Sequence, residues 1–111
     1  MLTVYGIKTC DTCRKALKWL TAEGHEHTWV DLRKTPPAAE RVADWVDALG
    51  SKPLRNTSGG SYRALPADKK TWTEDQWKTA FAADPMLLKR PVLEKDGVAV
   101  TTGFKGWEPW V

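Results

Sequence analysis

Strand, helix and strand patterns follow one another over the first ~30 residues, and this order constrains the fold most. Residues 2–5 are predicted to form a short β-strand that ends at Gly6. From residue 12 to residue 23, apolar side chains recur at the spacing of an amphipathic helix, at Cys13, Ala16, Leu17 and Leu20. Residues 27–32 are predicted to form a second strand. A βαβ unit of this length implies two parallel strands.

The middle of the chain is predicted to be helical. Thr35-Pro36-Pro37 resembles a helix start, with Thr35 as the cap and Pro36 at the first helical position, and Gly50 closes that helix. Residues 51–71 are predicted to be loop, with one helical turn near residues 62–65. Thr73 to Gln76 forms a capping-box pattern that begins another helix, which runs to about residue 83.

The C-terminal part is predicted to contain a hairpin. Asp96-Gly97 is a strong turn signal between the apolar segments 92–94 and 98–100. A short helical segment is expected after Gly103, ending at Pro109. The 111 residues therefore predict one α/β domain, with a mixed four-stranded sheet in the order β-α-β, helices, β-β-α. With a Cys-x-x-Cys pair where the first strand meets the first helix, this is the thioredoxin-like arrangement.

Composition and charge exclude several classes of protein. No apolar run approaches the ~20 residues of a membrane span, and no signal peptide is recognisable, so we expect a cytoplasmic protein with no membrane contact. The net charge of +3 is too small to indicate direct nucleic-acid binding. Residues 51–66 nevertheless carry only basic charges, at Lys52, Arg55 and Arg63, which suits a small anion or an acidic partner. The seven tryptophans are expected in the core or at its boundary.

The only two cysteines, Cys10 and Cys13, carry most of the functional information. Zinc would need two further ligands, and His25 and His27 lie beyond the next predicted helix. No metal site is therefore expected. A structural disulfide is not expected in a cytosolic protein either. The remaining interpretations are a Cys-x-x-Cys redox pair or two incidental cysteines.

Cys10 lies at the predicted N-terminus of the first helix, where unpaired N–H groups and the helix dipole favour an anion. Its sulfur can accept from the N–H of Thr12 or Cys13, and Lys8 and Arg14 add positive charge. These effects lower the pKa of a thiol, so Cys10 is the candidate nucleophile. Cys13 lies on the apolar face one turn later, which suits a buried resolving thiol. Alternatively, Cys13 is a small core residue, and a purely structural role for Cys10 is also possible.

At this point a family resemblance becomes specific. The segment from Tyr5 to Ala16, YGIKTCDTCRKA, followed by Trp19-Leu20, resembles the start of the arsenate reductase (ArsC)-like family, which includes the Spx-type regulators. The resemblance continues in order through residues 54–57, 62–65, 89–93 and 103–104, and within the family it points to a short proteobacterial branch.

The resemblance implies a thioredoxin-like fold with an inserted helical subdomain over about residues 35–85. It implies that Cys10 is the redox nucleophile and that the peptide bond before Pro91 is cis, beside the cysteine loop. Arg63 and Arg90 match arginines that hold the oxyanion in arsenate reductases. Without the resemblance, Arg63 could equally be a surface arginine and Arg90 part of a structural ion pair.

The sequence departs from the reductases at two positions. Phe104 replaces a third arginine expected after Gly103, which weakens the case for tight arsenate binding. The enzymes usually lack a cysteine at the position of Cys13, which is instead a feature of the Spx-type regulators. The second departure suggests an intramolecular disulfide.

The leading hypothesis is a thiol oxidoreductase, monomeric and without a bound cofactor, with glutathione or glutaredoxin as the reductant. Its substrate would be a small oxyanion such as arsenate, or a glutathione mixed disulfide, held near Lys8, Thr12, Arg63, Arg90 and Pro91. The alternative is a redox-sensing regulator like Spx that binds RNA polymerase. A third hypothesis is a redox-inactive binding module that keeps the fold.

Overall fold

The computed structural model describes residues 1–111 and is built on one four-stranded mixed sheet. Its strands are β1 (Leu2–Gly6), β2 (His27–Asp31), β3 (Val92–Lys95) and β4 (Val98–Thr102), in the order β2-β1-β3-β4. β1 runs parallel to β2 and antiparallel to β3, and β3 is antiparallel to β4. The predicted mixed, thioredoxin-like sheet is therefore confirmed.

Four α-helices accompany the sheet. They are α1 (Asp11–Ala22), α2 (Ala39–Leu49), α3 (Gly60–Arg63) and α4 (Glu74–Ala83). Short 3₁₀ helices lie at Lys52–Leu54, Ala67–Thr71 and Pro85–Leu87. The segment predicted as loop over residues 51–71 therefore contains three short helical pieces rather than one. No helix is both long and apolar enough to cross a membrane.

The predicted start of α2 at Thr35 and Pro36 is wrong. Each of these residues precedes a proline, and the α conformation is disfavoured in that position. Thr35 instead donates its backbone N–H to the carbonyl of Asp31 (2.8 Å), which closes a turn after β2. Ala38 is still extended, with ψ of 151°, and α2 begins at Ala39. Gly50 does close the helix, with φ of 78°.

The C-terminal segment is not helical as predicted but forms turns. Gly103 and Gly106 have φ of 72° and 91°, which a right-handed helix cannot contain. The segment closes instead on Trp107, whose carbonyl accepts from the N–H groups of Trp110 (2.8 Å) and Val111 (3.2 Å). This folded end packs back towards α1 through Phe104, whose ring centroid lies 5.8 Å from that of Trp19.

Two hydrophobic clusters lie in the core. The smaller one joins β1 and β3 to α1 and to Trp107, and contains Leu2, Val4, Ala16, Leu20, Leu93 and Trp107. The larger one joins the sheet to α2 and α4 around Trp45, Trp77 and Phe81. Six of the seven tryptophans are buried or half-buried, as predicted, but Trp110 is 37% exposed.

A buried carboxylate ties α2 to the sheet. Glu94 on β3 is only 3% exposed. It accepts hydrogen bonds from the Tyr5 hydroxyl (3.0 Å) and the Trp45 indole (2.7 Å), and pairs with Arg41 (2.8 Å). A buried carboxylate is costly unless it is paired and hydrogen-bonded, and Glu94 has three such partners. The cluster fixes α2 in place, and so also fixes the chain that leads from α2 to the site described next.

Candidate active site

Cys10 lies at the junction predicted for it, as the N-cap residue of α1, with extended backbone (φ −89°, ψ 119°). Its carbonyl accepts from the N–H of Arg14 (3.1 Å), and its own N–H donates to the carbonyl of Ile7 (3.2 Å). N-caps are usually Ser, Thr, Asp or Asn, whose oxygens occupy the first free N–H groups. A cysteine at this position leaves those N–H groups to a thiolate.

Several effects act on the pKa of the half-buried Cys10 thiol. Burial would raise it, but the N–H of Cys13, the Cys13 thiol, the N–H of Thr12 and the charge of Arg90 together hold the pKa below its ordinary value. This balance is the one expected for an anion at a helix N-terminus. Cys10 therefore carries the thiolate more readily than an ordinary cysteine does.

Cys13 is fully buried, with none of its surface exposed. Burial raises the pKa of its thiol to about 12, and the adjacent Cys10 adds to the increase. The two cysteines thus differ: the half-buried Cys10 thiol has a lowered pKa, and the fully buried Cys13 thiol has a raised one. Both are free thiols in this structure.

Arg14 holds the loop that carries Cys10. One guanidinium nitrogen donates to the carbonyl of Lys8 (3.1 Å), and the other pairs with the carboxylate of Asp11. The Lys8 side chain itself is exposed.

Arg90 precedes Pro91, and one nitrogen of its guanidinium group, Nε, has no hydrogen-bond partner. Its Nη1 donates to the carbonyls of Met86 (3.1 Å) and Leu88 (3.0 Å), which fixes the guanidinium. Its Nε is buried and has no partner. A buried donor without a partner is costly unless something binds it. Arginine binds carboxylates and oxyanions through such N–H groups.

The Arg90–Pro91 peptide bond is cis, which confirms what the resemblance implied.

A groove of about 820 Å³ opens beside Cys10. Cys10, Thr12 and Arg90 line it, with Asn56, Ser58 and Gly59 from the loop before α3. Residues 101–107 and Trp110 form the rest of its lining, together with Lys89. Three lining side chains are cationic, Lys89, Arg90 and Lys105, and none is acidic. The groove therefore suits an anionic ligand that reaches the Cys10 sulfur.

The structure brings together most, but not all, of the residues predicted for the site. Cys10, Cys13, Thr12 and Arg90 share one location, and Pro91 follows Arg90 directly. Lys8 and Arg63 do not line the groove. Arg63 is exposed, and its Nη1 donates to the carbonyl of Ser58 (2.6 Å), so it stabilises the loop at the rim.

Sequence reasoning missed the residues that widen the groove. Lys89, Lys105, Asn56, Ser58 and Trp110 line it but were not predicted as site residues. A signal existed for Lys105, because it directly follows Phe104, the residue that replaces the expected arginine. Phe104 packs edge-on against Trp107 (5.0 Å between ring centroids), and both Phe104 and Lys105 line the groove. No three His, Cys, Asp or Glu side chains come together in a way that could hold a metal ion.

Comparisons with a family model and with curated proteins agree on one family. The model of the ArsC family matches residues 5–108. Among curated proteins, the chain is 41% identical over 108 residues to the uncharacterized protein YusI of Bacillus subtilis (strain 168), covering 94% of this chain and 91% of that protein. A more distant similarity, 23% over 95 residues, links it to the global transcriptional regulator Spx of Lactiplantibacillus plantarum, with 84% of this chain and 72% of that protein covered.

Among solved structures, the fold is similar to a possible arsenate reductase from Streptococcus mutans UA159. The TM-score is 0.85 and the sequence identity 37%, with 96% of this chain and 92% of that chain covered. The resemblance expected from the sequence is therefore confirmed.

Proposed function

The chain belongs to the ArsC family, and from this premise we propose that it is a thiol–disulfide oxidoreductase whose nucleophile is Cys10. One observation carries the proposal: the N-cap position of α1 holds a thiol whose pKa is lowered, with a buried second thiol behind it and a groove in front. A purely structural cysteine would need none of these three features.

The reaction follows from the different environments of the two thiols. The Cys10 thiolate attacks one sulfur of a substrate disulfide, a Cys10–substrate disulfide forms, and the other half leaves as a thiolate that takes a proton from solvent. The Cys13 thiol then loses its proton and attacks the Cys10 sulfur, which releases the second half as a thiol. A Cys10–Cys13 disulfide remains, and two glutathione molecules, or glutaredoxin, reduce it.

Arg90 lines the groove and its charge lowers the pKa of Cys10, which supports an anionic substrate near the sulfur. A glutathione mixed disulfide carries carboxylates that Arg90 can bind. Binding them does not require the third arginine that Phe104 replaces. Arsenate would also meet Arg90, Thr12 and the helix N-terminus. However, Phe104 packs among aromatic rings where an arginine was expected, and Arg63 bonds to Ser58. We therefore favour the mixed disulfide over arsenate.

Steady-state assays with glutathione distinguish these substrates. We expect wild-type protein to reduce a glutathione mixed disulfide, with or without glutaredoxin, and to turn over arsenate much more slowly. Cys10→Ser should abolish activity. Cys13→Ser should lower the rate and accumulate a glutathionylated Cys10, visible by mass spectrometry. Full activity of Cys10→Ser would refute the proposal.

A regulator like Spx is the second candidate, because the chain is similar to an Spx protein and carries the Cys-x-x-Cys pair. This candidate predicts stable co-purification with RNA polymerase and a binding change when Cys10 and Cys13 are oxidised. Enzymatic turnover without polymerase binding would exclude it.

A further inference from the structure

The groove beside Cys10 is much larger than the anion site that Arg90 provides. Its volume is about 820 Å³, whereas a water molecule in the liquid occupies about 30 Å³. An oxyanion or a small disulfide at Cys10 replaces only a few waters. The lining also includes Lys89, Lys105 and Trp110, which such a small ligand does not need. A ligand that uses this space must be extended.

The C-terminal part of the groove lining, residues 101–107 and Trp110, has a fixed shape. Trp107 is 1% exposed, and its indole N–H donates to the carbonyl of Gly103 (3.1 Å). The Trp107 carbonyl in turn accepts from the N–H of Trp110 (2.8 Å). Lys105 and Trp110 are therefore carried on an anchored segment, and they present a preformed surface to a ligand.

Trp110 is the most exposed of the seven tryptophans, at 37%. An exposed indole covers apolar side chains well and is a frequent anchor in protein interfaces. Here it shares the groove with an exposed lysine and with no acidic residue. This combination of an apolar surface and a positive charge matches a peptide that carries an apolar side chain and a carboxylate.

Apart from Arg90, the cations that line the groove are lysines, and this affects selectivity. Arginine binds a compact oxyanion through two parallel N–H groups, whereas lysine is a point charge on a flexible stem. The Lys89 side chain lies across Gly103, where an added Cβ would be 3.2 Å from its Cε. Lys89 and Lys105 therefore suit carboxylates spread along a chain better than one tetrahedral anion.

We propose that the groove is a peptide site: the disulfide reduced at Cys10 is carried by a protein segment with an acidic residue and an apolar residue beside its cysteine. Lys105 pairs with the carboxylate and Trp110 packs on the apolar side chain. This inference rests on the proposed function, because it assigns the substrate class of the same site. In the first step the peptide sulfur forms a disulfide with Cys10, and the other half of the substrate leaves as a thiolate. Cys13 then attacks Cys10 and releases the peptide as a thiol.

Chromogenic disulfides test the proposal in a single turnover. Peptides of equal length, with Glu-Cys-Leu or Lys-Cys-Leu at the centre, are joined through the cysteine to 2-nitro-5-thiobenzoate. Reduced enzyme attacks the peptide sulfur, and thionitrobenzoate leaves with its electron pair because its thiol has the lower pKa. We expect half-saturation at about fivefold lower concentration for the acidic peptide, the range of one exposed ion pair.

Variants locate the effect in the groove. Lys105→Gln should bring the selectivity for the acidic peptide close to one, and Lys105→Glu should reverse it. Trp110→Ala should raise the half-saturation concentration of both leucine-containing peptides about tenfold and leave the preference for the acidic one in place. Lys18→Gln, an exposed charge on α1 outside the groove, is the matched control and should keep wild-type selectivity.

Binding measured without chemistry separates the two proposals. Calorimetry with Cys10→Ser and the free-thiol peptides should show the same preference and the same loss in Lys105→Gln. Equal affinity for both peptides would overturn the peptide site, as would glutathione binding as tightly as the acidic peptide. Loss of turnover with all disulfides, while the binding preference persists, would instead overturn only the proposed function.

Discussion

The Cys13 sulfur occupies the space in which a side chain at Gly6 would lie. A Cβ built on Gly6 would be 2.5 Å from Cys13 Sγ and 3.1 Å from the ring of Trp29. Gly6 ends β1 and Cys13 lies in the first turn of α1. The missing side chain therefore lets the strand end and the helix start approach each other with the buried thiol between them.

Gly6→Ala should destabilise the protein by about 1–3 kcal/mol, the usual cost of overpacking a buried position. Urea unfolding under reducing conditions measures the loss. The double variant Gly6→Ala/Cys13→Ala should recover part of it, because the sulfur is removed while the contact with Trp29 remains. Gly24→Ala would instead be destabilising through its φ of 73°, because no neighbour lies within 4 Å of an added Cβ. It therefore does not serve as a steric control for Gly6→Ala. Additive effects of the Gly6 and Cys13 changes would contradict the packing argument.

Alkylation of Cys10 by iodoacetamide should titrate below the pKa of 9.0 of an unperturbed thiol. Peptide mass spectrometry resolves the two cysteines, and Cys13 should stay protected near neutral pH because it is buried and its pKa is about 12. Cys13→Ala should raise the pKa of Cys10, since one donor to the thiolate is lost. Lys15→Gln, exposed on α1, should leave the titration unchanged. A normal titration of Cys10 in the wild type would contradict the site.

The pKa of Cys13 predicts a loss of stability at alkaline pH. Its folded-state pKa of about 12 lies above the ordinary 9.0, so the unfolded chain releases this proton first. The stabilisation is complete below pH 9 and disappears as pH rises through 12, with a slope of at most about 1.4 kcal/mol per pH unit. The lowered pKa of Cys10 acts in the opposite direction, and its contribution grows with pH up to about 9.

Unfolding of reduced wild type and Cys13→Ala above pH 9, where the contribution of Cys10 no longer grows, tests the effect of Cys13. Burial and Glu94 raise the pKa of Tyr5 to about 12, so both proteins should lose stability above pH 10. The wild type should show an additional decline that begins near pH 9. Parallel stability curves for the two proteins would show that burial of Cys13 does not shift its titration.

Arg90 should act on Cys10 in two separable ways. Arg90→Gln removes the charge, so the pKa of Cys10 should rise, and it removes the free Nε donor as well. Arg90→Lys keeps a positive charge, so the pKa of Cys10 should change less, while protection of Cys10 from alkylation by phosphate should weaken about tenfold. Arg63→Gln should weaken this protection much less, because Arg63 bonds to Ser58 and lies outside the groove. Equal effects at both arginines would require Arg63 to leave Ser58.

Truncating Glu94 should be among the most destabilising single changes. Glu94→Ala leaves the Trp45 indole without its acceptor and the half-exposed Arg41 without its partner. We expect a loss of about 2–5 kcal/mol, because the Tyr5 hydroxyl and the Trp45 indole lose their buried acceptor while Arg41 can turn to water. Tyr5→Phe removes only one hydrogen bond and should cost about 1 kcal/mol. Denaturant unfolding of both variants measures the two losses. A larger loss for Tyr5→Phe than for Glu94→Ala would contradict the prediction.

Much of the fold was readable from local patterns. The apolar spacing of Cys13, Ala16 and Leu20 predicted α1, and Asp96-Gly97 marked the hairpin between β3 and β4. The Thr73–Gln76 capping box is present as predicted. These features depend on neighbours in sequence, so periodicity and turn chemistry suffice to predict them. The start of α2 was missed because one local signal, Thr35 as a cap, competed with another, the restriction before each proline.

The positions of the two thiols relative to α1 were predictable from the sequence, because a helix N-terminus and its first turn depend on a few adjacent residues. The distant side chains that surround Cys10 were not, because they are brought there by long-range packing. This packing brought Lys105 and Trp110 into the groove and left Arg63 outside it. Their positions depend on how the C-terminal turns and the loop before α3 pack against the sheet. Such packing is set by many weak contacts between residues far apart in sequence, and no spacing along the chain records it.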